Sequence, residues 1–136
     1  MRADPRIVLI RSQRTTFESS QFMDGSRPRS QKFTATVLFT DLREFTSVSE
    51  KMDPQALLDW LNVYMEAMAQ LVMDHGGVVD NYIGNSTKAD FGVPVPRTDE
   101  AAISRDAVAA VDWALAMERE LKRLNAVWQQ QSLPTV

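Results

Sequence analysis

The pair Gly84-Asn85 joins two short strand-like runs, and long amphipathic helices flank the hairpin that this implies. Val78 to Ile83 and Thr87 to Val93 carry β-branched and aromatic residues suited to a pleated, half-buried surface. A Gly-Asn pair between such runs fits a two-residue hairpin turn. Upstream, Asp53-Pro54 supplies a capping acid and then proline at the first helical position. Leu57, Leu61, Tyr64, Met68, Leu71 and Val72 follow at helical spacing and predict one apolar stripe. Gly76-Gly77 ends that helix. Downstream, Pro94 and Pro96 break the strand pattern. Thr98 is placed to cap a last helix, with Asp99 and Glu100 near its positive end. Ile103, Ala107, Ala110, Ala114, Met117, Leu121, Leu124 and Trp128 mark its expected buried face.

One further strand precedes these elements. Phe33, Ala35, Val37 and Phe39 alternate with Thr34, Thr36, Leu38 and Thr40, a run apolar enough on both faces to lie within a sheet. It ends at Asp41-Leu42-Arg43-Glu44, after which Thr46 or Ser47 is placed to cap a short helix running toward Lys51. The order strand, helices, hairpin, helix predicts an α+β layer with helices on one face. A split βαβ sandwich takes a fourth strand, which would follow Val136, so the sandwich is expected to be incomplete. Residues 1–30 hold the short apolar run Ile7 to Ile10 and the turn-like Asp24-Gly25-Ser26, with no period. They predict a flexible basic lead-in with little fixed structure, followed by a partial domain over residues 31–136.

Charge limits the partners. The 136 residues carry a net charge of −3. The lead-in is +3 and the remainder −6, and an acidic body argues against nucleic acid as a partner. The chain has no cysteine, hence no disulfide framework and no thiolate metal site. It has neither a bilayer-length apolar run nor a secretory-type signal. A cytoplasmic location is expected, with any membrane contact made through a separate sensor region.

Two positions carry candidate chemistry. A carboxylate at a strand end, such as Asp41, can hold a divalent cation beside bound phosphates. Backbone N–H groups at the helix start beyond it favour anions. The competing reading is an ordinary strand-to-helix loop with Asp41 as a turn residue. Asn85 sits on the hairpin tip and would face Asp41 if the two edges align. Here the competing reading is plain turn chemistry, which needs no ligand. Spacing alone leaves both alternatives open.

In order along the chain stand Asp41 with Leu42 to Ser47, a long helix, His75-Gly76-Gly77, Asp80-Asn81-Tyr82-Ile83-Gly84 and Phe91-Gly92-Val93-Pro94-Val95-Pro96. This set resembles class III adenylate and guanylate cyclase domains over about residues 32–130. The resemblance implies a ferredoxin-like cyclase sandwich that works as a homodimer, or as a heterodimer with another cyclase domain. ATP or GTP would bind in the cleft between the two domains. Asp41 would be the first metal-binding and catalytic aspartate, and the Leu42 carbonyl would help hold a metal. Leu42, Arg43, Glu44, Phe45 and Thr46 would form the phosphate-binding segment. The family uses two Mg²⁺ (or Mn²⁺) ions per site while the ribose 3′-oxygen attacks the α-phosphate and pyrophosphate leaves.

The chain also departs from that pattern. Asn85 stands where the family has its second metal-binding aspartate. Asn81 stands where many adenylate cyclases have a base-reading lysine. Lys88, in the second hairpin strand, shares a face with Asp90, which predicts a solvent-facing ion pair worth about 0–1 kcal/mol. The alternative for Lys88 is a contact to base or phosphate. The family's later strands, its second base-reading residue, and the asparagine and arginine that act on the transition state would lie beyond Val136. Without a strand on its outer side, the strand of Phe33 to Thr40 is expected to leave an open edge, and the chain is expected to fold marginally or aggregate. The resemblance thus implies an enzyme family, with activity impaired in this chain. The alternative is a non-catalytic domain that pairs with or regulates an active cyclase. An unrelated RNA-binding sandwich fits less well, because the strand near Phe33 lacks a basic face.

Overall fold

The structure, a computed structural model, describes residues Ile10–Phe17 and 31–136. The elements are β1 (Ile10–Phe17), β2 (Gln31–Thr40), α1 (Phe45–Ser49), α2 (Pro54–Asp74), β3 (Gly77–Ile83), β4 (Ser86–Phe91) and α3 (Glu100–Gln130). The strands form one sheet in the order β1-β2-β4-β3, with every neighbouring pair antiparallel. Helices α2 and α3 pack on each other and on the sheet, giving the expected α+β layer.

Strand β1 corrects two expectations. Little fixed structure was predicted for residues 1–30, yet Ile10–Phe17 pair with β2 from Ile10↔Leu38 to Phe17↔Gln31. The outer edge of β2 is therefore covered and not open. Thr15, Thr16 and Phe17 favour strands, and an unpaired edge is a ready template for backbone pairing even without an apolar period. The remainder of residues 1–30 lies outside the described residues.

The core forms where α2 and α3 meet β2 and β4. Leu38, Ala89 and Phe91 face the helices from the sheet. On α2 the fully buried line is Trp60, Tyr64, Met68 and Val72. Leu57, Leu61 and Leu71 are only partly buried, so the buried face is turned from the predicted stripe toward Trp60. A tryptophan removes more area from water than a leucine, and its ring meets Trp128 of α3 at a centroid distance of 4.6 Å. On α3, Trp113 takes an equally deep place beside Phe91, with ring centroids 5.8 Å apart. Trp60 Nε1 donates to the Pro134 carbonyl at 3.0 Å, and Val136 N donates to Asn125 Oδ1 at 3.0 Å. These two bonds fasten residues 133–136 to both helices.

The helix ends follow local chemistry. Asp53 caps α2 by accepting from the backbone N–H groups of Gln55 and Ala56 at 3.1 and 3.3 Å. Asp99, not Thr98, caps α3 by accepting from Ala101 and Ala102 at 3.4 and 3.0 Å. Neither Thr46 nor Ser47 caps α1. That place falls to Glu44, which has φ 61° and makes no side-chain cap bond. Gly76 (φ 74°) turns the chain out of α2 as predicted.

Gly77 has a steric reason of its own. A Cβ there would lie 2.7 Å from the Phe91 ring, which is 1% exposed and cannot move aside. We expect Gly77→Ala to cost about 1–3 kcal/mol through overpacking. Urea unfolding should show a lower midpoint at unchanged m-value. A midpoint equal to that of the unsubstituted chain would contradict this packing.

Candidate functional site

The β2–β4 register builds the site. Thr40 pairs with Thr87, so Asp41, the residue after β2, emerges beside Ser86 and the hairpin tip. Beneath them, Thr40 Oγ1 donates to the Thr87 carbonyl at 3.3 Å, and Thr87 Oγ1 contacts Met65 Sδ at 3.6 Å. Tyr64 lies below on α2, close enough for Thr40 and Asp41 to act on it. Burial pushes its phenol well above the usual range, a Thr40 hydrogen bond lowers it, and the Asp41 charge raises it again. The phenol is therefore a neutral part of the floor.

The hairpin tip reaches Asp41. Gly84 takes φ 62°, while among described non-glycine residues only Glu44 and Ser132 have positive φ. Those φ signs match a turn that wants glycine first. Asn85 Nδ2 donates to Asp41 Oδ1 at 2.8 Å and to the Leu42 carbonyl at 3.0 Å. Ser86 Oγ donates to the same Asp41 oxygen at 2.8 Å. Both acceptors of Asn85 lack hydrogens, so only the NH₂ end of its amide can satisfy them. Asp41, Leu42 and Asn85 thus meet at one point. Ser86 was absent from the sequence reading. Its signal was its place directly after the turn, in line with a residue following β2.

The rest of the segment after β2 surrounds that point without closing on it. Arg43, Glu44 and Thr46 are exposed, and Phe45 packs partly against the core. Val48 N donates to the Glu44 carbonyl at 3.1 Å, holding Glu44 in its left-handed conformation. Such a conformation costs an L-residue about 1–2 kcal/mol, so this loop is under strain beside Asp41. Asn81 and Lys88 stand elsewhere, opposite each other in the β3–β4 ladder. A bulge between Val79 and Asn81 inserts Asp80, whose carboxylate takes Lys88 as an ion-pair partner. An apolar groove of about 490 Å³ lies between α2 and the hairpin, lined by Leu61, Met65, Ala69, Tyr82 and Gly84 among others. It includes none of the expected site residues.

The Lys88–Asp90 pair differs from expectation. Lys88 Nζ is 4.0 Å from Asp90 Oδ1, but Asp90 is 2% exposed and so not solvent-facing. Among the described residues its Oδ1 has no hydrogen-bond partner. Lys88 turns to Asp80, whose hydrogen bond is the largest influence raising the lysine above its usual range. Burial raises the Asp90 carboxyl, Lys88 pulls it back, and Asp80 raises it again.

The resemblance implies divalent ions at the tip. Magnesium wants several oxygen ligands in near-octahedral array. Here the amide presents nitrogen-bound hydrogens to the carboxylate and the carbonyl, and Asp41 is the only carboxylate in the contact. Among the described residues no group of three or more His, Cys, Asp or Glu side chains is arranged to hold a metal ion. The donor set as arranged does not fit such an ion.

Comparisons with known proteins agree with one another. The family profile described as adenylate and guanylate cyclase catalytic domain matches residues 28–133. Adenylate cyclase 1 of Rhizobium meliloti (strain 1021) is 31% identical over 99 residues, covering 73% of this chain and 14% of that protein. The terminal-differentiation specific adenylate cyclase of Dictyostelium discoideum is 36% identical over 86 residues, covering 63% of this chain and 4% of the relative. The adenylyl cyclase CyaB from P. aeruginosa superposes with a TM-score of 0.68 at 34% identity, covering 75% of this chain and 50% of that one. The guanylyl cyclase Cya2 superposes at 0.64 and 33% identity, covering 74% and 48%. The chain thus spans a small part of the curated relatives and about half of each solved one.

The Asp90 environment predicts a pH dependence. A carboxyl raised above its unfolded value of 3.8 binds its proton more tightly in the folded state. Stability therefore falls as pH rises from 3.8 through the raised value, and the full cost is present above it. Asp90→Asn removes the buried charge. We expect a higher melting temperature at pH 7, with the gain fading as the pH is lowered toward 3.8. A gain that is the same at every pH would contradict the burial of an ionised Asp90.

Proposed function

Because this chain belongs to the adenylate and guanylate cyclase catalytic-domain family, we propose that it serves cyclic-nucleotide signalling as a class III cyclase domain with impaired turnover. The observation that carries this reading is the contact between Asp41 and Asn85. The family positions meet, as a nucleotide site requires, but they meet through an amide where the family resemblance expects a second carboxylate. The family reaction turns ATP or GTP into a cyclic nucleotide and pyrophosphate, and the family generally uses divalent metals. The donor set at the tip of this chain does not fit such an ion as arranged. What this chain retains is the acid after β2, the strained loop from Arg43 to Thr46, and the hairpin.

Asn81 and Lys88 are the proposed base-facing positions. The reading gives Lys88 a weak part, because Asp80 already holds its ammonium group. Pairing with a second cyclase domain, as homodimer or heterodimer, is supported by apolar side chains left exposed on β3. Val78, Tyr82 and Ile83 are 45%, 44% and 58% exposed. No described helix is long and apolar enough to cross a membrane. A cytoplasmic location is part of the proposal and follows from the signalling role proposed for the domain.

A second reading is favoured by the hydrogen bonds that fill Asp41 Oδ1. On it, the domain is non-catalytic and pairs with or regulates an active cyclase. Both readings predict slow chemistry from the chain alone. With ATP or GTP and Mg²⁺ or Mn²⁺, pyrophosphate release should stay at least about 100-fold below the median enzyme turnover of about 10 s⁻¹. Turnover near that median would overturn both.

A further inference from the structure

We propose that the Asn85 carboxamide does the structural work of a cation in this domain. The proposal rests on the cyclase-family reading of the site and deepens it. Asn85 Nδ2 lies 2.8 Å from Asp41 Oδ1 and 3.0 Å from the Leu42 carbonyl oxygen. These are the charged and the neutral oxygen that a divalent ion would draw together. An NH₂ group carries two divergent hydrogens of partial positive charge, enough for one bond to each oxygen. The bond to the carboxylate is charge-assisted and stronger than a neutral one. Ser86 Oγ adds a third donor, at 2.8 Å from the same Asp41 oxygen. The end of β2 is thereby fastened to the hairpin tip by three hydrogen bonds.

A cation would have to undo this. Asn85 would have to turn its oxygen inward and give up both hydrogen bonds. The ion would gain one neutral ligand in return, beside the single formal charge of Asp41. Magnesium gives up its water reluctantly, and one carboxylate is a weak inducement without a phosphate present. The domain therefore keeps its strand-to-hairpin geometry in the absence of metal. A single change, Asn85→Asp, exchanges the built-in donor for a need for one. Two carboxylates would then face each other with no hydrogen between them, a pairing that repels unless a cation or a proton intervenes.

The test uses the full chain without nucleotide, in chelator and in MnCl₂. Thermal melts and Mn²⁺ binding by water-proton relaxation are measured for the native chain, N85A and N85D. The native chain should show no saturable Mn²⁺ binding and no change in melting temperature. N85A should melt about 5 °C lower or more in chelator, having lost the bridge, and should ignore Mn²⁺. N85D should also melt lower in chelator but regain stability with Mn²⁺ in a saturable way. Saturable Mn²⁺ binding with a higher melting temperature in the native chain would overturn the proposal. So would N85A melting like the native chain, or N85D failing to respond to Mn²⁺. If N85D does not fold, the native and N85A arms still decide. Native Mn²⁺ binding without turnover would sink this inference and leave impaired turnover standing, whereas brisk turnover would sink the functional reading itself.

Discussion

The antiparallel register of β2 against β4 decides where every other part of the site falls. Thr40 opposite Thr87 places Asp41 beside Ser86 and under the reach of Asn85. The same register sends Leu38, Ala89 and Phe91 into the helical layer. A slip of one residue would turn that apolar set to the opposite face of the sheet. It would also carry the Asn85 amide away from Asp41. The buried rings of Trp60, Trp113 and Trp128 hold the helices against the sheet and so defend this alignment. Packing on one side of the sheet thus fixes hydrogen bonding at its end.

The hairpin carries this chain's departures from its family at both ends. At the tip, an amide supplies hydrogens where the family resemblance expects a second anionic ligand. Lower down, Lys88 and Asp90 occupy the face away from the helices, where Asp80 enters through a bulge to take the lysine. Among the described residues Asp90 is buried with one oxygen unpaired, which is a cost to the fold and not a contribution to it. These changes act together. The tip is self-satisfied, and the lysine beside it in the hairpin is already engaged by Asp80.

Much of this was legible in the sequence, for identifiable reasons. Gly84-Asn85 fixed the hairpin because glycine is the residue that tolerates the first turn position. Asp53-Pro54 announced α2, since acid and proline have few other uses in that order. The convergence of Asp41 and Asn85 followed once family order was seen, and could not be had from spacing. Other features depended on contacts. Trp60 outcompeted Leu57 and Leu61 for the deep side of α2 because Trp128 waits opposite. Asp99 took the cap from Thr98 because the backbone turns there. The pairing of Ile10–Phe17 with β2 left no periodic trace, because a ladder of backbone partners does not require an apolar period in the sequence. The burial of Asp90 was invisible, because alternation gives the face of a residue and not what covers it.

The central claim is that a hydrogen-bonded amide, with no ion, closes the gap between the end of β2 and the hairpin. Nuclear magnetic resonance can observe it directly, as scalar couplings across the hydrogen bonds from Asn85 Nδ2 to the carbonyl carbon of Leu42 and to the carboxylate carbon Cγ of Asp41. The account predicts both couplings in metal-free protein, unchanged on adding Mg²⁺. Side-chain amide protons of Asn85 that exchange at the rate of free asparagine, with neither coupling present, would contradict it.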